Sequence, residues 1–215
     1  MSEIVYDATP YLVEVVANIG SYGNNAYILS GADRDRVTIV DAPEGAEAII
    51  DAVGARTIER IVVTHAHFDH WLGFDVLRAA TDAPVHAGAD EDGLDVTRGA
   101  LPLVHGDTIS VGGTDATVVH TPGHTPGSIC IRFGDVVLTG DTLFPGGPGR
   151  TRTNEALLQE VDSIASRLLV LPPETLVLPG HGPSCTIATS IEEHAVFASK
   201  PHASDLAGDV LWRES

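Results

Sequence analysis

Between Ile61 and His70 an apolar run, Ile-Val-Val-Thr, gives way to His65-Ala-His67-Phe-Asp69-His70, three imidazoles and a carboxylate within six residues. Imidazole nitrogen and carboxylate oxygen are donors that a zinc-type cation accepts. In an extended segment side chains alternate, so His65 and His67 leave the chain on one side and can grip one ion. Asp69 and His70 fall where the chain is expected to turn into a helix, Trp71–Ala80, and can reach a second ion beside the first. A fold that suits this run must bring a buried strand to an end at a metal site.

Three later segments repeat the theme. Thr121-Pro-Gly-His124-Thr-Pro-Gly-Ser128 sets one histidine in a turn built from two Pro-Gly pairs, ahead of an apolar strand Ile129–Phe133. Val136-Val-Leu-Thr-Gly140-Asp141 runs an apolar strand into a glycine and a single carboxylate, suited to bridging two cations, with Gly140 letting the backbone approach whatever Asp141 binds. Thr175-Leu-Val-Leu-Pro-Gly-His181-Gly182 is a further apolar strand that ends in a histidine.

In this order the four segments resemble the metallo-β-lactamase-fold hydrolases, and most closely the short glyoxalase II-like branch; each pattern is common alone, and the series is specific. The resemblance implies an α/β fold, the αβ/βα four-layer sandwich, with metals at the edge between two sheets. It assigns His65, His67 and His124 to a first metal, Asp69, His70 and His181 to a second, and Asp141 to a bridge, with every ligand position filled. The cofactors it implies are two divalent ions, zinc foremost, with iron or manganese as alternatives. Two such ions with two aspartates and a bridging hydroxide leave roughly one positive charge to meet an oxyanion, and metal binding lowers the pKa of water to about 7. The hydroxide would be the nucleophile and Asp69 would orient it.

The activity implied is hydrolysis of a small molecule, an acyl thioester first and a lactone second. A persulfide dioxygenase of the same superfamily is the alternative, with one iron on the positions of His65, His124 and Asp141, a two-His, one-carboxylate platform for O₂. A non-enzymatic metal-dependent binding module is the third reading, disfavoured by a complete ligand set that no cysteine closes. Long glyoxalase II enzymes hold glutathione on a basic helical extension, whereas 34 residues follow His181 here, with Lys200 and Arg213 as their cations. Glutathione recognition of that type is therefore not expected, which leaves a smaller thioester, a different low-molecular-weight thiol carrier or a lactone.

Composition narrows the partners. The chain has 215 residues and a formal charge of −18, with Lys200 its only lysine, so a phosphate backbone or an anionic membrane would be repelled. No apolar run approaches the roughly 18 residues of a membrane span, and no signal-type segment is evident, which points to a cytoplasmic protein of one domain, residues 1–215. Cys130 and Cys185 lie far apart and read as reduced thiols rather than as a disulfide or a Cys-x-x-Cys zinc site.

Strands are expected at Tyr11–Ile19, Asn25–Leu29, Val37–Val40, Arg60–Thr64, Pro84–Ala87, Thr108–Val111 and Asp115–Val119, the last two as a hairpin around Gly112-Gly113. Helices are expected at Glu44–Val53, Glu155–Leu169 and Ile187–Ala198, and Ala89–Leu101 reads as polar and irregular. Asp41, closing a strand, is a candidate to hold a metal-bound imidazole from behind. Arg150, in the Gly-rich loop after Asp141, is a candidate to dock a substrate carboxylate. His86, His105 and His120 read as structural, and His194 and His202 as solvent-exposed.

Overall fold

The computed structural model describes residues 1–91 and 99–215. Strands β1 (Glu3–Ala8), β2 (Tyr11–Ile19), β3 (Asn24–Ser30), β4 (Arg36–Val40), β5 (Thr57–Val63), β6 (Val85–Gly88) and β7 (Leu101–Leu103) line up in chain order as a seven-stranded sheet. The first four pair antiparallel; β4 to β7 run parallel, with crossovers through helices α1 (Glu47–Val53) and α2 (Phe74–Ala80). The second sheet is built from β8 (Thr108–Val111), β9 (Thr114–His120), β10 (Ile129–Phe133), β11 (Val136–Gly140), β14 (Leu176–Pro179) and β15 (Cys185–Thr186), in the order β15-β14-β11-β10-β9-β8. A two-stranded ribbon, β12 (Leu143–Phe144) with β13 (Gly147–Pro148), stands apart. Helices α3 (Asn154–Ser163) and α4 (Ile187–Ala198) complete the order.

Near-continuous apolar strands make sense only if both sheet faces are covered. On β3, Tyr27 and Leu29 face the second sheet while Ala26 and Ile28 pack with Ile49 of α1 and Leu77 of α2. On β10, Ile129, Ile131 and Phe133 join that central layer while Cys130 packs with Leu157 of α3 and Phe197 of α4. The order is therefore helix, sheet, sheet, helix, the expected αβ/βα sandwich.

Helix starts differ from the sequence expectation for local reasons. Gly45 at φ +85° holds α1 off until Glu47. Residues Phe68–His70 form a tight 3₁₀ turn, the Gly73 N–H donates to the Ala42 carbonyl and the Ala42 N–H to the His70 carbonyl, so α2 begins at Phe74 rather than Trp71. Helix α3 widens into a π turn, Ile164–Leu168, ahead of Pro172. Helix α4 occupies the expected span, capped by Thr186, whose hydroxyl accepts the Thr189 N–H. Of the stretch expected to be irregular, residues 92–98 lie outside the described residues and Leu101 opens β7.

At one end the sheets are tied by polar contacts rather than by packing. The Asn25 N–H donates to the Gly180 carbonyl at 2.7 Å, the Tyr27 hydroxyl to the Pro179 carbonyl at 2.7 Å, and the Ile129 N–H to the Thr64 carbonyl at 2.9 Å. Strands β5, β11 and β14 all end at this edge.

Candidate metal centre

His65 and His67 follow β5 in extended backbone, and Asp69 and His70 sit on the 3₁₀ turn. His124 lies in the β9–β10 turn, Asp141 follows β11, and His181 follows β14. All seven side chains singled out from the sequence converge. The donor atoms of His65, His67 and His124 lie within 4.8 Å of one another, as do those of Asp69, His70 and His181, and those of His65, His70 and Asp141.

The spacing suits cations. Two Zn–N bonds at a tetrahedral angle place their nitrogens about 3.3 Å apart. The Nε2 of His65 is 3.1 Å from Nδ1 of His67 and 3.2 Å from Nε2 of His124. His70 Nε2 and Asp141 Oδ1 face each other at 3.2 Å, both buried, and neither makes a hydrogen bond. Buried polar atoms left this way are costly unless something else satisfies them, and a shared cation would. Asp141 spans both sets, with Oδ2 3.8 Å from His124 Nε2 and 3.6 Å from His181 Nε2.

The far nitrogens are held from behind. His70 Nδ1 donates to Asp41 Oδ2 at 2.9 Å, His124 Nδ1 to the Arg150 carbonyl at 3.0 Å, and His181 Nδ1 to the Tyr22 carbonyl at 3.2 Å. These contacts fix the tautomer and turn each Nε2 lone pair inward. Asp41 also accepts the Thr64 N–H at 2.8 Å, so it is the partner of His70 as well as a turn anchor. Asn24, not singled out from the sequence, donates to Asp69 Oδ2 at 3.0 Å and sits 3.2 Å from His181 Nε2.

The electrostatics separate the two sets. Burial, reinforced by neighbouring imidazoles, holds His65 well below its usual range, and burial lowers His67 and takes His124 down to about 4. Those three rings are neutral near pH 7, with lone pairs free for a metal. For His70 burial works against charge, but Asp141 and Asp41 outweigh it and its pKa rises; for His181 the hydrogen bond to Asp69 does the same. The second set thus asks for positive charge, whether a proton or a cation.

Two glycines make the convergence possible. A Cβ on Gly180 would lie 2.5 Å from His70 Cε1 and 2.6 Å from Asp141 Oδ1. Gly140 sits at φ +49°, where a Cβ would meet the Thr64 hydroxyl at 2.6 Å, so the close approach it allows is to Thr64 rather than to a bound ion.

Arg150 stands on the mouth of the site, 74% exposed, with Nε 3.9 Å from Asp209. It lines a cleft of about 700 Å³ together with Arg152, Thr151, His67 and Gly208. The remaining histidines stay outside the cluster. His86 is half-buried on β6 and His105 is exposed in a loop; His120 donates to the Pro126 carbonyl. His202 is exposed as expected, but His194 is half-buried, its ring edge-on to Trp212. Cys130 and Cys185 are both free thiols. Glu160 is the unexpected group: a fully buried carboxyl that accepts the Gly149 N–H at 3.1 Å, its pKa pushed up to about 9 by burial.

The profile of the Metallo-beta-lactamase superfamily matches residues 19–181, a span that contains all seven converging side chains. The chain belongs to the metallo-beta-lactamase superfamily. Among superfamily relatives, a hydroxyacylglutathione hydrolase of Cereibacter sphaeroides is 38% identical over 164 residues, which take in 74% of this chain and 62% of that protein. Among solved members, ETHE1 from Myxococcus xanthus superposes with a TM-score of 0.73 at 27% identity, covering 94% of this chain and 86% of its own. TTHA1623, solved in a di-iron-bound form, superposes with a TM-score of 0.65 at 30% identity, covering 82% of this chain and 96% of its own. Among the described residues no helix is long and apolar enough to cross a membrane.

Proposed function

We propose that the chain is a hydrolase of an activated acyl compound, a thioester first and a lactone second, working with two divalent cations, zinc foremost. His65, His67 and His124 would hold one ion, Asp69, His70 and His181 the other, and Asp141 would serve both. When bound, such a pair supplies Lewis acidity and a water acidified enough to attack a carbonyl at neutral pH.

The protein's own groups supply the rest. Asp69 accepts the Asn24 side-chain amide at 3.0 Å, a contact that favours its ionised form and does not compete with the lone pair of His181. It can therefore accept a hydrogen bond from an attacking water and aim it. Arg150 and Arg152 give the larger cleft a positive wall on a chain of −18 net charge, which suits a carboxylate on the substrate. The similarity to a hydroxyacylglutathione hydrolase supports the thioester class.

The observation that carries the two-metal form is the completeness of the second set. A one-iron dioxygenase would draw on His65, His124 and Asp141 and leave Asp69, His70 and His181 without a task. Their backing by Asp41, Asn24 and the Tyr22 carbonyl favours a built second site. Metal content by plasma mass spectrometry, with a panel of thioesters and lactones, tests this. Two ions per chain and thioester turnover are expected; a single iron with oxygen uptake would overturn it. Asp141→Ala is expected to lose both ions and to lower kcat/KM by more than about 100-fold, beyond what loss of an outer partner costs.

A further inference from the structure

After α4 the chain does not stop at the helix layer but runs back across the mouth of the metal centre. Its course is fixed at close intervals. The Leu206 carbonyl accepts from Asn154 at 2.8 Å, Gly208 and Thr151 exchange a pair of backbone hydrogen bonds at 2.9 and 3.3 Å, and the Trp212 N–H donates to the Gly146 carbonyl at 2.8 Å. Val210 and Trp212 are buried in the layer beneath α3 and α4. Lys200, the only lysine, donates to the carbonyls of Arg213 and Ser215 and closes the segment on itself.

Anchored in this way, the segment leaves Leu211 facing outward, 48% exposed, over a cleft of about 330 Å³. The floor of this cleft is His124, Asp141 and His181. Its apolar lining comes from Phe144 and Pro145 of the β12–β13 ribbon and from Val210 and Leu211, which pack against the ribbon turn at Gly146 and Gly147, and the charged Arg150 and Asp209 also border it. It meets the larger arginine-lined cleft at His124, Asp141 and Arg150, which border both, and runs from there to the other side of the metal centre. An exposed leucine held in place by a buried tryptophan next to it, and opening onto the metal ligands, is a shaped apolar surface rather than a loose end.

We propose that the segment from Leu206 to Trp212 is the specificity wall of this enzyme, and that the slot between Phe144 and Leu211 takes the apolar acyl chain of the substrate. This rests on the hydrolase reading above and adds which part of the substrate lies where: acyl chain in the slot, carbonyl at the metal centre, anionic leaving group toward Arg150 and Arg152.

The test separates the slot from the chemistry. Straight-chain carboxylates from two to eight carbons are titrated calorimetrically into the zinc-loaded protein, and acyl thioesters of the same lengths are assayed for kcat/KM. Affinity is expected to climb with each methylene, by up to about fourfold when the group is fully removed from water. In Leu211→Ala the ratio of eight-carbon to two-carbon affinity should fall at least fivefold, and Phe144→Ala should do the same, with two zinc ions retained in each. Equal ratios in wild type and both variants, or no dependence on length in wild type, would overturn the slot. Absence of turnover with every thioester and lactone would sink the hydrolase reading alone, because the binding series still decides the slot.

Discussion

Asp41 shows how much a single residue outside the metal set can control. It sits at φ +65°, a conformation that aspartate tolerates better than most residues, and is buried with both oxygens engaged. Oδ1 takes the Thr64 N–H and Oδ2 the His70 Nδ1–H, so the carboxylate presents acceptors in both directions. In Asp41→Asn one of these becomes a donor against a donor. Affinity for the second metal is expected to fall 10- to 100-fold, read by competition with a chromogenic chelator, while the first site keeps its ion. Unchanged affinity would remove Asp41 from the metal centre. The carboxylate was visible in the sequence because it closes a predicted strand. Asn24 was not, because its partner His181 lies 157 residues away and nothing in the local pattern of β3 marks it.

At the scale of elements, α3 carries a group that its helical pattern half reveals. Glu160 stands three residues after Leu157 and four before Ile164, on the stripe that faces the core, where an apolar side chain is the rule. A carboxyl there is the signal that a closer reading of the periodicity would catch. Its pKa of about 9 compares with about 4.3 in an unfolded chain. Between those values the folded protein holds a proton that the unfolded one has released, so this group lowers stability as pH rises, and the loss levels off above 9. Glu160→Gln keeps an acceptor for the Gly149 N–H and cannot ionise. Its Tm should exceed that of wild type by a margin that widens from pH 6 to pH 9; parallel curves would show that Glu160 titrates normally. Short or little-buried elements were the ones missed: β1 has no fully buried residue, β7 spans three residues, and β15 and each strand of the β12–β13 ribbon span two. Such edges carry almost no hydrophobic period to read.

The sandwich was legible through the resemblance carried by its four histidine- and aspartate-ended segments; the alternation of apolar strands and helices by itself suits a doubly wound sheet equally well. What could not be read was the stitching between sheets, since the contacts of Asn25 and Tyr27 with the end of β14 join residues more than 150 positions apart. Metal should add to this stitching, because each set draws ligands from both halves of the chain. Chelation is expected to lower Tm, and Tm should then rise with the logarithm of free zinc, each tenfold adding about 1.4 kcal/mol per site. An apoprotein that melts with the metal-loaded form would show that the ions contribute nothing to folding.

The division of ligands between halves also sets an order of events in synthesis. Asp69 and His70 leave the ribosome more than a hundred residues before His181. A nascent chain holding only the first sheet can offer a cation loose, partial coordination, and β14 must dock before the second set exists. On the proposed assignment, capture of the second metal would thus be a late checkpoint on chain completion, and a product truncated before β14 would be told apart by its inability to retain a second ion.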